Sequence, residues 1–115
     1  MLYLAVPDKR FTFDVDRRCT TIEHITQDFV LGPEWSKEQH FEEWSRLVNK
    51  RTEQAQIVEE VRRLMEMDYS IHFHVWGAAE LVELVATLQR FARFELELFQ
   101  RSGFETILIL RKSPA

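Results

Sequence analysis

Two histidines separated by one residue are the feature of this 115-residue sequence that most suggests chemistry. His72 and His74 lie in DYSIHFHVW, whose alternating pattern predicts a short strand or an extended connector. Side chains two residues apart in extended backbone point to the same side, as in a metal pair or an acid-base pair. Further metal ligands would have to come from Asp68, His24 or His40, and the spacing matches no standard zinc pattern. Hydrogen bonding at the mouth of a sheet is therefore favoured, and no metal is predicted.

A charged triplet follows the apolar run LYLAV near the start of the chain. Asp8, Lys9 and Arg10 come directly after residues 2–6 and Pro7. If the apolar run is a strand of an open α/β sheet, the triplet lies at the carboxyl end, where such sheets bind ligands. Lys9 and Arg10 are thus candidates for pairing with an acidic group of a substrate. The favoured alternative is a solvated loop, since charged residues are mostly exposed.

The remaining reactive and aromatic side chains favour structural roles. Cys19 stands beside two arginines, but no base neighbours it in sequence to support a nucleophilic role. Trp35, Trp44 and Trp76 could line a pocket, although aromatic residues at helical spacing more often belong to a core. The sequence shows no Ser-His-Asp set, phosphate-binding loop or pair of catalytic carboxylates above chance.

Composition and charge exclude several classes of protein. Apolar residues make up 45% and charged residues 30% of the chain, so we expect one globular domain over residues 1–115. A formal net charge of -4 disfavours a nucleic acid partner. A single cysteine excludes an internal disulfide and fits a reducing compartment. There is no apolar run of membrane-spanning length and no basic leader, so we expect a cytoplasmic protein without a membrane partner.

Local signals predict four helices, of which the first three form a helical insert over about residues 20–67. The fourth follows Gly77 and has a broad apolar face suited to covering a sheet. Capping boxes, in which two side chains satisfy free amides at a helix start, mark the first two helices: Thr20 with Glu23, and Ser36 with Gln39.

Three strands are predicted, at residues 2–6, 94–99 and 106–111, the last two joined by a turn at Ser102 and Gly103. FELELF alternates apolar and acidic residues, as an edge strand with one wet face does, whereas TILILR has the apolar run of a central strand. The predicted order is therefore 2–6, 106–111, 94–99. The first strand is apolar throughout, so we expect it to be buried on both faces, with an outer edge whose neighbour is missing because the chain starts at Met1.

Several segments resemble one protein family. LYLAVPDKRFTFD, GPEWS, HFEEW and DYSIHFHVW, followed by a helix and FELELFQRSGFE, are similar to the type 11-like bacterial subgroup of class I S-adenosylmethionine-dependent methyltransferases. In that fold the last strand inserts antiparallel between the fifth and sixth strands, which matches the predicted order. The resemblance implies an α/β protein with a partial Rossmann-like methyltransferase fold: a three-stranded mixed sheet, the helical insert and one covering helix.

The resemblance also implies a function, together with a missing part. The family binds its cofactor on a glycine-rich turn in the first half of the fold, and this chain has only three well-separated glycines. It would be the C-terminal, substrate-side portion of a methyltransferase that acts on a small molecule or a glycan-related acceptor, inactive alone. S-adenosylmethionine would bind in the intact enzyme and not to this chain. Lys9, Arg10, His72 and His74 would lie near the substrate.

Two kinds of partner follow for the free strand edge. One is the missing N-terminal, cofactor-binding half. The other is a second copy of the chain, in which case the protein is a non-enzymatic interaction module that pairs through its strand edge.

Overall fold

The computed structural model describes residues 1–114 and is an α/β structure with four helices and one sheet. Three helices lie between the first strand and the fourth helix, as predicted. The elements are β1 (Leu2–Pro7), a single 3-10 turn (Lys9–Phe11), α1 (Ile22–Leu31), α2 (Glu34–Leu47), α3 (Gln54–Glu66), α4 (Ala78–Leu88), β2 (Phe94–Ser102) and β3 (Glu105–Lys112).

The sheet has the predicted order, with β3 between β1 and β2. Both strand pairs are antiparallel, so the prediction of a mixed sheet is wrong for these three strands. That prediction presupposed parallel neighbours from a larger sheet. The predicted hairpin turn is confirmed: Gly103 adopts φ 63°, a left-handed conformation that glycine takes without steric cost.

β1 is far more exposed than its apolar sequence suggests. Leu2, Tyr3 and Leu4 are 52%, 63% and 36% exposed, so the expectation of a strand buried on both faces is wrong. The reason is that the cluster around α4 lies over the centre of the sheet and reaches β1 only at Val6. The outer edge of β1 also has no partner strand among residues 1–114. β1 therefore presents apolar side chains together with unpaired backbone groups.

Two separate hydrophobic clusters form the interior. In the first, α4 covers the central strand, as predicted for the covering helix: Leu81 and Val85 pack with Leu108 of β3 and with Trp76. The second cluster lies within the helical insert and joins α2 to α3 through four buried side chains: Phe41, Ile57, Val61 and Leu64.

The helix starts differ from the two predicted capping boxes. The N-cap of α1 is Thr21, whose hydroxyl accepts a hydrogen bond from the His24 amide at 3.1 Å. Thr20 is engaged elsewhere, because its hydroxyl accepts from the amide of Val75 at 3.0 Å. α2 starts at Glu34, so Ser36 lies within its first turn and not at its cap. Gly77 is the N-cap of α4, as predicted.

Residues 68–76 run between α3 and α4 as the connector. Within the described chain the connector forms no strand, and only Trp76 makes a bridge, with Asp8 beyond the end of β1. The connector thereby links the helical insert to the carboxyl end of β1. Among the helices of residues 1–114, none combines the length and the apolar character that crossing a membrane requires.

Candidate metal centre

Four side chains from three elements meet between the helical insert and the connector. His24 and Asp28 are one helical turn apart and share a face of α1. His40 comes from α2, and His74 comes from the connector. One ligand-type atom of each residue lies within 4.8 Å of those of the other three. We call these residues the His3Asp cluster.

Three distances describe the centre of the His3Asp cluster. The Nε2 atoms of His24 and His40 lie 3.0 Å apart. Oδ2 of Asp28 lies 3.4 Å from Nε2 of His24 and 2.6 Å from Nε2 of His74. Three imidazole nitrogens and one carboxylate oxygen are therefore gathered in one place, all within 4.8 Å of one another.

The carboxylate of the cluster is held from its other side. Ser36, which is fully buried, donates its hydroxyl hydrogen to Oδ1 of Asp28 at 3.0 Å. Oδ2 is thereby directed towards the three imidazoles. The position of Ser36 inside α2, which contradicts the predicted capping box, is what makes this hydrogen bond possible.

The backbone next to His74 is fixed by a buried arginine. Arg17, 1% exposed, donates to the carbonyl oxygens of His72 at 2.5 Å and Phe73 at 3.3 Å. The same guanidinium binds Asp14 at 2.9 Å and Glu43 of α2 at 2.8 Å. Arg17 thus ties the connector to α2 directly beside the cluster.

Burial sets the electrostatics of the cluster. Burial, together with the neighbouring His24 and His74, lowers the pKa of His40 to about 4, so its imidazole is neutral at pH 7. Burial also raises the pKa of Asp28, but hydrogen bonds from His74 and Ser36 outweigh that effect and hold the pKa below its usual 3.8. A neutral imidazole with a free lone pair and an ionised carboxylate are the forms in which these groups bind metals.

Two cavities flank the cluster. One, of about 320 Å³, is bordered by His40, His74 and Asp28 and also by Lys37 and Tyr69. The other, of about 180 Å³, is bordered by His24 and His40 and reaches Cys19. The cluster is therefore the wall between two open spaces at the surface of the helical insert.

His72 and His74 do not act as a pair. His72 hydrogen-bonds through Nδ1 to Asp14 at 2.7 Å and stacks on Phe13, with ring centroids 5.5 Å apart. His74 binds Asp28 instead, because the backbone bends at residues 73 and 74 and does not continue as a strand. The hydrogen bonding expected for both histidines is thus present, but with two different carboxylates.

Lys9 lies beside the connector, whereas Arg10 makes a local ion pair. Lys9 borders a cavity of about 100 Å³ together with His72, His74 and Asp14. Arg10 is not among the residues around that cavity and binds Asp8 at 2.6 Å. That contact outweighs burial and lowers the pKa of Asp8. The structure therefore brings three of the four predicted substrate-side residues together and leaves Arg10 in a local ion pair.

The other residues considered from sequence take structural positions. Asp68 is exposed and binds Lys37 at 2.8 Å, outside the cluster. Trp76 belongs to the core over the sheet, and Trp44 packs at the edge of the helical core. Asp28 was missed, although its spacing of four from His24 in a predicted helix was a usable signal.

Comparison with known proteins adds no assignment. No family model, no curated protein and no solved structure matches this chain.

Proposed function

We propose that this chain is the C-terminal, substrate-side portion of an S-adenosylmethionine-dependent methyltransferase. It acts with a cofactor-binding half that is supplied either by preceding residues or by another chain. The acceptor is a small molecule, and the chain alone binds no cofactor.

The topology supports this proposal. In class I methyltransferases the last strand lies antiparallel between the fifth and sixth strands. β3 lies antiparallel between β1 and β2, and α4 covers one face of the sheet. The helical insert follows β1, as the resemblance implies.

The observation that carries the proposal is the exposure of β1. Leu2, Tyr3 and Leu4 are apolar or aromatic, yet all three are substantially exposed beside an unpaired strand edge. Such an edge is a ready template for another strand, and natural proteins rarely leave one bare. A parallel sheet that continues beyond β1 pairs this edge, and its helices bury these side chains.

The absence of a nucleotide-binding turn agrees with a divided site. Gly32, Gly77 and Gly103 are the only glycines, and no two of them lie close enough to form a glycine-rich strand-to-helix turn. Methyl transfer requires the sulfonium carbon to be held in line with the acceptor. In this proposal the other half holds the cofactor, and this chain forms part of the acceptor side.

Lys9, His72 and His74 are the favoured acceptor-side residues because they border one cavity just beyond the carboxyl end of β1. This is the end at which open α/β sheets bind ligands. Arg10 does not border that cavity, and its guanidinium is held by Asp8. We place it on the acceptor side only as the neighbour of Lys9 in the chain.

Calorimetric titration with S-adenosylmethionine tests the proposal on two proteins. One is the 115-residue chain, and the other is the same chain extended by the residues encoded immediately upstream. We expect no heat of binding for the first and one bound cofactor for the second. Micromolar binding by the 115-residue chain would contradict the proposal. No binding by the extended chain would exclude preceding residues as the source of the cofactor-binding half and would leave a separate chain as its source.

A second candidate, self-association, rests on the same exposed edge. Two copies that pair β1 against β1 would form an interaction module without catalysis. Sedimentation velocity of wild type, Tyr3→Lys and the control Val58→Lys, which changes an exposed residue of α3, separates the two candidates. A dimer that only Tyr3→Lys dissociates favours the interaction module, whereas a monomer in all three proteins removes it.

A further inference from the structure

We propose that His24, Asp28, His40 and His74 bind one zinc ion, which joins α1, α2 and the connector. This inference does not depend on the proposed methyltransferase function.

The donor set is one that zinc prefers. Zinc in proteins is bound tetrahedrally by imidazole nitrogen, thiolate sulfur and carboxylate oxygen. Bond lengths of about 2.0–2.2 Å place neighbouring ligand atoms about 3.3 Å apart. Nε2 of His24 lies 3.0 Å from Nε2 of His40 and 3.4 Å from Oδ2 of Asp28. Nε2 of His74 and Oδ2 of Asp28 are 2.6 Å apart and would separate to that spacing around an ion, and all four ligand atoms lie within 4.8 Å of one another.

The composition of the cluster also discriminates between metals. Calcium and magnesium require six or more ligands, nearly all of them oxygen, and Asp28 supplies the only carboxylate of the cluster. Cys19 borders the neighbouring cavity but does not belong to the cluster.

The surrounding contacts are those of a supported metal site. Protein metal ligands are usually oriented by outer hydrogen bonds. Ser36 occupies Oδ1 of Asp28 and leaves Oδ2 for the ion. Arg17 fixes the carbonyl groups of the two residues before His74. Both outer groups are buried, so solvent does not compete with them.

The ion would hold α1 in place against α2 and the connector. None of the ten described residues of α1 is buried, and Phe29, Val30 and Leu31 at its end are exposed. Apolar packing therefore contributes little to holding α1 against α2. An ion with two ligands from α1, one from α2 and one from the connector fixes their arrangement.

Four protein ligands leave no open position, so the site is structural and not a site for substrate activation. The ion takes Nε2 of His74, so contact with an acceptor in the cavity beside Lys9 falls to Lys9 and His72. His74 then forms part of the cavity wall.

Zinc titration of the full chain, without an affinity tag and first freed of metal with chelator, tests this inference. Competition with a chromophoric chelator gives the dissociation constant. We expect one zinc per chain for wild type and at least about 100-fold weaker binding for His40→Gln and Asp28→Asn. His72→Gln is the matched control, because His72 is a nearby histidine that binds Asp14 outside the cluster. It should bind zinc like wild type.

Two results would overturn the inference: no stoichiometric zinc binding by wild type, or loss of binding in His72→Gln equal to that in His40→Gln. Circular dichroism of each metal-free variant shows whether it is folded. If His40→Gln is unfolded, two other measurements test the site: zinc binding by Asp28→Asn, and the visible spectrum of wild type loaded with Co²⁺. Intense absorption bands of four-coordinate cobalt support the site, and the weak bands of six-coordinate cobalt contradict it.

Discussion

Replacing Arg17 with Met should strongly destabilise the fold, because it removes a buried charge from the junction between α2 and the connector. Arg17 and Asp14 are each 1% exposed. The side chain of Met has a similar length but cannot replace any of the hydrogen bonds of the guanidinium. Asp14 is then left buried, with His72 as its remaining polar partner.

The magnitude follows from the contacts that are lost. Removing one partner of a buried ion pair costs about 3–5 kcal/mol, because the other charge stays in a poorly solvating environment. The carbonyl groups of His72 and Phe73 lose their charged donor as well, although these losses overlap with the first. We expect Arg17→Met to lower the free energy of unfolding by about 3–5 kcal/mol, a large fraction of the roughly 5–15 kcal/mol typical of a domain.

Urea unfolding followed by tryptophan fluorescence measures this change. The control is Lys50→Met, which removes the exposed ion pair between Lys50 and Asp16, the residue before Arg17. It should leave the midpoint of urea unfolding unchanged within error. A second comparison is the double variant Arg17→Met with Asp14→Asn, which should lose less stability than the two single variants together. A free energy of unfolding for Arg17→Met within about 1 kcal/mol of the wild-type value would refute the claim that the buried Arg17–Asp14 pair stabilises the fold.

Three further predictions concern the core, the pH dependence and the cluster. Phe41→Ala should cost about 3–5 kcal/mol in urea unfolding, because Phe41 is fully buried between α2 and α3. Burial raises the pKa of Glu60, but hydrogen bonds from Asn49 and Arg51 outweigh it and hold that pKa below 4.5. The stability from Glu60 is thus present above pH 4.5 and lost as the pH falls through the lowered pKa, so Glu60→Gln should flatten this part of the stability profile. Ser36→Ala should weaken zinc binding about 10-fold, measured by chelator competition.

Each of these three has a contrary result. Phe29→Ala, at an exposed position of α1, is the control for Phe41→Ala. Equal losses of unfolding free energy in the two variants would contradict the placement of Phe41 in the core between α2 and α3. If the free energy of unfolding changes equally with pH for wild type and Glu60→Gln between pH 7 and about pH 3, folding does not lower the pKa of Glu60. Unchanged zinc affinity in Ser36→Ala would show that the ligand Asp28 is oriented without it.

The elements could be predicted from sequence because their signals are local. Alternation in FELELF and continuous apolar residues in TILILR were enough to place both strands and their order. Gly103 marked a turn because its left-handed backbone, with φ 63°, favours glycine, and Gly77 marked the start of α4. The exposure of β1 could not be predicted in the same way, because it depends on which part of the sheet α4 covers.

The site depends on contacts between residues that are far apart in sequence. Thr20 looked like an N-cap, but the hydroxyl group is taken by Val75, 55 residues away. Asp28 binds His74, which is 46 residues away in sequence, and no local sequence pattern predicts that contact. Two histidines with tight spacing suggested a pair, whereas the cluster takes only one of them. Local sequence patterns predict helices and strands well, but they predict the tertiary contacts between these elements poorly.

Zinc K-edge X-ray absorption of the zinc-loaded chain tests the His3Asp cluster most directly, because it counts ligand atoms around the ion. We predict four nitrogen or oxygen neighbours at about 2.0–2.1 Å, with the outer-shell scattering of three imidazole rings. A sulfur neighbour at about 2.3 Å, which only Cys19 or a methionine could supply, would contradict the assignment. Fewer than three imidazole rings would contradict it equally.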